Sequence, residues 1–222
     1  MTGDLDMDPR YQPIENYGVI GNLRTAALVG MDGSIAIERI SVEDLRADAS
    51  GVLIEQIASL AYRSFREPPW HDDRERPRLH FGLGVDLMRR NALALIAKAK
   101  ESGTIVGYAL GYEVLQESED PRDLTLGAIS GTTALDYLFD EGKHLFYTDT
   151  VCVDPGARRR QIAYSLAVAL FPVLSSMGFT YHLARTASNA AAIRALFAKL
   201  GFEELSVRDA VFADRTYWLL RL

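Results

Sequence analysis

The stretch VCVDPGARRRQIAYSLAVAL, residues 151–170, takes an apolar run into Asp154-Pro155, turns through Gly156-Ala157, and meets three consecutive arginines where an amphipathic pattern begins. Such an order predicts a strand that ends, a tight turn and a helix that starts at once. The N-terminus of a helix gathers unpaired N–H groups and the positive end of the helix dipole, so it binds anions. Arg158, Arg159 and Arg160 would add charge-assisted hydrogen bonds there. The alternative is that they are surface charge near a helix start.

The remainder of the chain makes the cluster informative. The protein has 222 residues and a net charge of −6, with 48% apolar and 24% charged residues, which suits a soluble globular protein rather than one that grips nucleic acid or an anionic membrane. A triple arginine in an acidic protein is therefore a local device. Cys152 is the lone cysteine, which excludes an intrachain disulfide and a Cys-rich metal site and fits a reducing cytoplasm. His71, His80, His144 and His182 lack metal-ligand spacing. The acidic opening MTGDLDMDPR does not read as a signal peptide, no apolar run is long enough to cross a membrane, and a cytoplasmic location is expected.

Outward from the arginines, periodicity predicts alternating elements. Residues 1–13 read as a loose tail, and Asp32-Gly33 as a hairpin turn between TAALV and SIAIERI. Ser41, with Asp44 three residues on, reads as a helix cap. Leu53, Ile57, Leu60, Ala61 and Phe65 lie at helical spacing, and Pro68-Pro69 ends that helix. HDDRERPR reads as a loop, followed by a short helix over residues 85–90. LALIAKAKE and TIVGYALGYEVL form an antiparallel hairpin. Residues 118–143 are a long insertion with a helix in TTALDYLFDE. HLFYTDTVCV is a strand, and Ile162, Leu166, Ala169, Leu170, Val173 and Met177 form the apolar face of the next helix. The strand FTYHLAR, a helix capped by Asn189 and stopped by Gly201, and the strands FEELSV and RTYWLLRL complete the chain.

This order, and two motifs in it, resemble the GNAT N-acetyltransferase family. That family's pyrophosphate signature runs Val-x-Pro-x-x-(Arg/Gln)-x-x-Gly-x-(Gly/Ala) after a strand; residues 153–163 read VDPGARRRQIA. Its second landmark is an Asn followed by a helix that ends in Lys-Leu-Gly-Phe, matched by Asn189 and by Phe197-Ala198-Lys199-Leu200-Gly201-Phe202. The resemblance implies an α/β fold with a mixed, mainly antiparallel sheet, splayed parallel strands and flanking helices, here with an N-terminal β-hairpin extension. It implies acetyl transfer from acetyl-CoA to a primary amine without a metal. The backbone of Val151, Cys152 and Val153 would hold the pantetheine arm. Arg158, Arg159, Arg160, Gln161, Ile162 and Ala163 would hold the pyrophosphate, with Asn189 and Phe197 also lining the site. Two departures stand out: Gln161 replaces the signature glycine, and Phe197 replaces a tyrosine that protonates the leaving thiolate in many relatives.

Period-two alternation puts Tyr147, Asp149, Val151 and Val153 on one strand face, which makes Asp149 the first candidate base and Tyr147 the second. A bulge would break that alternation and bring in Thr150. The Cys152 side chain reads as a core residue. Asp72, Asp73, Glu117, Glu119, Asp120, Asp136, Asp140 and Glu141 suit a cationic small-molecule acceptor, such as an amino sugar or polyamine; the alternative is that most of them are solvated surface charge. A non-catalytic acyl-CoA-binding module is the alternative that Phe197 keeps open.

Residues 13–35, PIENYGVIGNLRTAALVGMDGSI, resemble the opening of glucoamylase and trehalase-like glycoside hydrolases. No catalytic barrel fits in the remainder of the chain, so the expectation is two units: 1–35, a tail with a hairpin, and 36–222, the acetyltransferase domain. A carbohydrate-binding role for the first unit is a third reading. The hairpin's edges would pair with the core sheet or with a second copy in a homodimer.

Overall fold

The computed structural model describes residues 17–22, 25–30, 35–40, 51–68, 70–71, 74–120 and 123–222. The expected tail, the Asp32-Gly33 turn and the Ser41 cap lie outside them. The strands are β1 (Tyr17–Asn22), β2 (Thr25–Gly30), β3 (Ile35–Ile40), β4 (Leu93–Ala99), β5 (Ile105–Val114), β6 (Leu145–Val153), β7 (Tyr181–Ala187), β8 (Glu203–Arg208) and β9 (Arg215–Arg221). The helices are α1 (Val52–Phe65), α2 (Arg76–Asp86), α3 (Leu126–Ser130), α4 (Ile162–Ser176) and α5 (Ala191–Lys199).

The strands form one nine-stranded sheet in the order β1-β2-β3-β4-β5-β6-β7-β9-β8. Neighbours are antiparallel except β6 and β7, which run parallel across the α4 connection. β1 and β2 continue the sheet beyond β3.

Helices cover both faces, so the central strands are buried on both sides. Along β4, Ala94 and Ile96 pack with Ile57, Leu60 and Leu83 of α1 and α2, while Leu93, Leu95 and Ala97 pack with Leu166, Ala169 and Leu170 of α4. This is period-two alternation with apolar residues at every position. The buried stripe of α1 (Ile57, Ala58, Leu60, Ala61) and that of α4 (Ile162, Leu166, Ala169, Leu170, Val173) follow the expected helical spacing. Met177 is exposed, one residue past α4. Pro172 lies inside α4 on an exposed position.

Two expected helices move. The one placed at residues 85–90 is α2, which starts at Arg76 because Pro77 suits a first helical turn, where its missing N–H costs nothing. In the insertion, the α-helix is α3, capped by Thr125, whose Oγ1 accepts from the Ala128 amide at 3.3 Å. The TTALDYLFDE segment instead forms a 3-10 turn at Asp136–Gly142. Leu126, Ile129, Leu135 and Leu138 bury this insertion against Tyr112, Val114, Leu145 and Tyr147.

Candidate functional site

The site lies where β6 and β7 part. They pair only from Leu145↔Tyr181 to Thr148↔Ala184, after which β6 runs on to Val153 and β7 to Ala187 without pairing with each other. At the fork Thr148 Oγ1 and His182 Nε2 lie 2.5 Å apart. His182 is buried against Phe146, Phe171 and Phe202. Burial pulls its pKa down to about 3, so the ring is neutral.

Two cavities open from the fork. One, of about 290 Å³, is lined by Val151, Cys152 and Val153 of β6, by Ala163 of α4, and by residues 189–193. The other, of about 610 Å³, is lined by Tyr147, Asp149, Thr186 and Phe197, with Arg74, Arg185 and Arg215. Val151 of β6 and Ile193 of α5 border both, so the two cavities are neighbours.

A bulge in β6 arranges this wall. Leu110 pairs with Thr150 and Gly111 with Thr148, which leaves Asp149 as the extra residue. The bulge reverses the alternation along the strand. Tyr147 packs with Tyr112 and Leu145, whereas Val151 and Val153 pack in the cluster beneath α4, so the shared face expected for all of them is not formed. Gly111 makes the bulge fit: a Cβ there would sit 2.5 Å from both Phe146 Cε1 and Tyr147 O.

Asp149 is exposed and accepts hydrogen bonds from the Tyr112 hydroxyl at 3.3 Å and the Thr150 hydroxyl at 2.8 Å. Tyr147 is buried, and burial together with the Asp149 charge pushes its phenol further up, leaving it protonated at neutral pH. Cys152 is buried too; burial raises its thiol to about 12 and its Sγ points at Leu60 O, 3.9 Å away. It borders the cleft as part of a wall, not as a thiolate.

The arginines sit in the turn rather than in the helix. Pro155–Ala157 is a 3-10 turn, and the first helical residue is Ile162. Arg159 (φ 64°) and Gln161 (φ 58°) both adopt left-handed backbone. That conformation, about 1–2 kcal/mol unfavourable for a residue with a Cβ, accounts for glycine in the signature position that Gln161 occupies. Arg158 is strapped to α1: Nη1 reaches Glu67 Oε2 at 2.5 Å and Nη2 reaches Ser64 O at 3.4 Å. Arg63 holds Asp154 at 2.8 Å. Burial pushes the Asp154 pKa up, but Arg63 and the Gly156 amide outweigh it and hold it low. Arg159 and Arg160 are exposed, Ile162 is buried beneath Gly107, and Ala163 reaches the cleft.

Asn189 borders the cleft but does not cap α5 with its side chain. Ala190 holds the cap position, and the Asn189 carbonyl accepts from the Ala191 amide. Phe197 is buried between Phe202 (5.2 Å) and Trp218 (5.7 Å) and faces the larger cavity. Beside it Thr186, 1% exposed, has an Oγ1 without a hydrogen-bond partner.

Several site residues carried no sequence signal. Asp86 lies at the end of α2, where Arg89 Nε donates to it at 3.0 Å. Burial first, then repulsion from Asp149, raises its pKa to about 6. Arg185, Arg215 and Thr186 come from strands whose apolar pattern reads only as core. Among the described residues no three His, Cys, Asp or Glu side chains group as metal ligands, and no helix is long and apolar enough to cross a membrane.

The profile of the acetyltransferase (GNAT) family matches residues 54–202. The chain belongs to this family. It is thus an acyl-CoA-dependent acetyltransferase at the family level, with acetyl-CoA as donor. The family match begins after residues 13–35 and leaves them outside it. No curated protein sequence matches the chain. Among solved structures it is similar to the ribosomal-protein-S18-alanine N-acetyltransferase of Escherichia coli (14% identity, 84% of this chain and 93% of that one, TM-score 0.53). It is also similar to the PaiA N-acetyltransferase of Thermoplasma acidophilum in complex with coenzyme A (12%, 85% and 99%, TM-score 0.54). A third is NAA60 of Arabidopsis thaliana in complex with acetyl-CoA (13%, 85% and 99%, TM-score 0.53). At these identities the likeness is one of fold: a GNAT fold with splayed β6 and β7.

Proposed function

We propose that this GNAT protein transfers the acetyl group of acetyl-CoA to the primary amine of a small molecule by direct attack on the thioester. The observation that carries the reading is the fork between β6 and β7, with Asp149 bulged into the cavity on its far side. The smaller cavity leads from the α4 turn to the fork, and Val151, Cys152 and Val153 form its wall for the pantetheine arm. Arg158, Arg159, Arg160 and the backbone from Gln161 to Ala163 hold the pyrophosphate, with Asn189 on the lining of the same cavity.

The chemistry needs a neutral amine and a place for one proton. Asp149, through water, takes one proton from the ammonium; the neutral nitrogen then bonds to the carbonyl carbon, and its second proton passes by way of water to the leaving sulfur. The C–S bond breaks and its electron pair stays on sulfur. Phe197 offers no proton to the thiolate, and the Thr186 hydroxyl beneath the cavity lining is buried, so that proton comes through water. Proton removal from the ammonium then controls the rate.

The test is thiol release from acetyl-CoA in the presence of primary amines. Asp149→Asn should slow turnover more than tenfold, while Phe197→Tyr should raise it less than tenfold, under about 1.4 kcal/mol of barrier. The double change Arg158→Ala and Arg160→Ala should weaken acetyl-CoA binding by roughly 1.5–3 kcal/mol per charged hydrogen bond lost; unchanged affinity in a folded protein would move the donor site elsewhere. A second reading, a non-catalytic acyl-CoA-binding module, is favoured by Phe197 itself. It becomes the correct one if Phe197→Tyr switches on an activity that the parent lacks.

A further inference from the structure

We infer that the acceptor is a primary amine that also carries an anionic group, carboxylate or phosphate, and that Arg215 beside Arg185 receives this group. The inference rests on the acetyl-transfer reading and specifies its substrate.

The larger cavity is bipolar. At the β6 bulge it presents Asp149, the sole carboxylate among its described lining residues. Arg185 of β7 and Arg215 of β9 line the same cavity, with Arg74 and His71.

The arginine wall is built rather than incidental. Asp209, whose side chain is fully buried, accepts from Arg185 Nη1 at 2.5 Å, from the Tyr217 hydroxyl at 2.6 Å, and from the Val211 and Phe212 amides at 2.8 Å. Burial alone would push its carboxyl up, but these donors hold its pKa below the usual range. The same bonds fix the 209–212 turn and set the Phe212 ring. Arg215 Cζ lies 4.2 Å from the centre of that ring and Arg185 Cζ 5.5 Å from it. One ring therefore gathers two guanidinium groups. Asp209 balances Arg185, while Arg215 makes no ion pair with any described residue.

Two planar guanidinium groups gathered at one ring on the lining of one cavity suit the oxygens of a carboxylate or phosphate. A polyamine would bring its second ammonium against them. Of the acidic residues expected to attract such a cation, Asp72 and Asp73 lie outside the described residues, and none of Glu117, Glu119, Asp120, Asp136 and Asp140 lines this cavity. An ammonium at Asp149 and an anion at Arg215 satisfy both ends.

The test compares matched amines on the full chain by thiol release: O-phosphoethanolamine against ethanolamine, glutamate against its diamide, an acidic peptide with a free N-terminus against its neutral counterpart, and putrescine. The three pairs distinguish phosphate, free carboxylate and peptide as the source of the anion. At least one anionic member should exceed its uncharged partner tenfold or more in kcat/KM, chiefly through KM. Arg215→Gln should collapse that ratio, and Arg215→Glu should shift preference toward putrescine. Equal or better use of uncharged or cationic amines, or an unchanged ratio in Arg215→Gln, would overturn the inference and leave acetyl transfer standing. If acetyl-CoA binds yet no amine is acetylated, acetyl transfer falls. Calorimetry on CoA-loaded protein then decides the charge question separately: glutarate binding that Arg215→Gln abolishes supports the anion site, and no preference over glutaramide refutes it.

Discussion

Burial holds His182 neutral, its pKa pulled from 6.5 to about 3, and keeps Asp86 protonated up to about 6 against an ordinary 3.8. The signs oppose. As pH falls through 6.5 toward 3, unfolded His182 takes up a proton that the folded ring refuses, so stability is lost. As pH rises from 3.8 through about 6, folded Asp86 keeps a proton that the unfolded chain has released, so its stabilising contribution is lost on the alkaline side. Between about pH 4 and 6 the two offset each other, and only the His182 loss continues below. Asp86→Asn should therefore unmask an acid loss of about 2–3 kcal/mol over that interval, read by urea unfolding at each pH. A variant with the same pH profile as the parent would show that Asp86 is not held as described. Asp86 also shows why residue-level sequence reading stops short. Its character comes from burial and from Asp149, and α2 supplies both only after it packs on the sheet.

At the scale of the elements, β6 and the turn before α4 decide the site. Gly111 faces the β6 bulge with no room for a Cβ, so Gly111→Ala should cost about 1–3 kcal/mol and reduce acetyl transfer together with stability. A fully stable and active Gly111→Ala protein would mean the bulge is not shaped by this contact. The Pro, Gly and arginines of the α4 turn marked it as a candidate anion site, but the arginines' partners were not legible. Arg158 is tied to Glu67, which α1 brings close. Both side chains of that pair are largely exposed (42% and 45%), where such pairs contribute little. Under the proposed donor placement the same Glu67 would compete with phosphate for Arg158. Glu67→Gln should leave thermal stability nearly unchanged and tighten acetyl-CoA binding by up to about fivefold. Calorimetry showing weaker binding would indicate instead that Glu67 positions the arginine for the donor.

Across the whole molecule, β1 and β2 extend the sheet past β3, on the opposite side of the central strands from the β6–β7 fork. Removal of residues 1–33 should therefore leave acetyl-CoA affinity intact while lowering stability, or changing the oligomeric state, through the newly exposed β3 edge. A folded truncated protein that loses acetyl-CoA would place that segment at the donor site. The amino-acid sequence alone determined the elements whose cause is local. The α4 stripe from Ile162 to Val173, the strand ending at Asp154-Pro155 and the order of elements around the arginines all follow from periodicity and turn chemistry within a few residues. It also left signs of its own limits, since Gln161 and Phe197 were visible as departures but their surroundings were not. Tertiary structure decided what depends on register and long-range closure. One extra residue at Asp149 reversed which side of β6 faces which cluster, and the β7–β9 pairing set Arg185 and Arg215 around Phe212. A bulge shifts alternation by one residue without leaving a local signature, and residues far apart in the chain meet only when packing against a shared core selects one register from many.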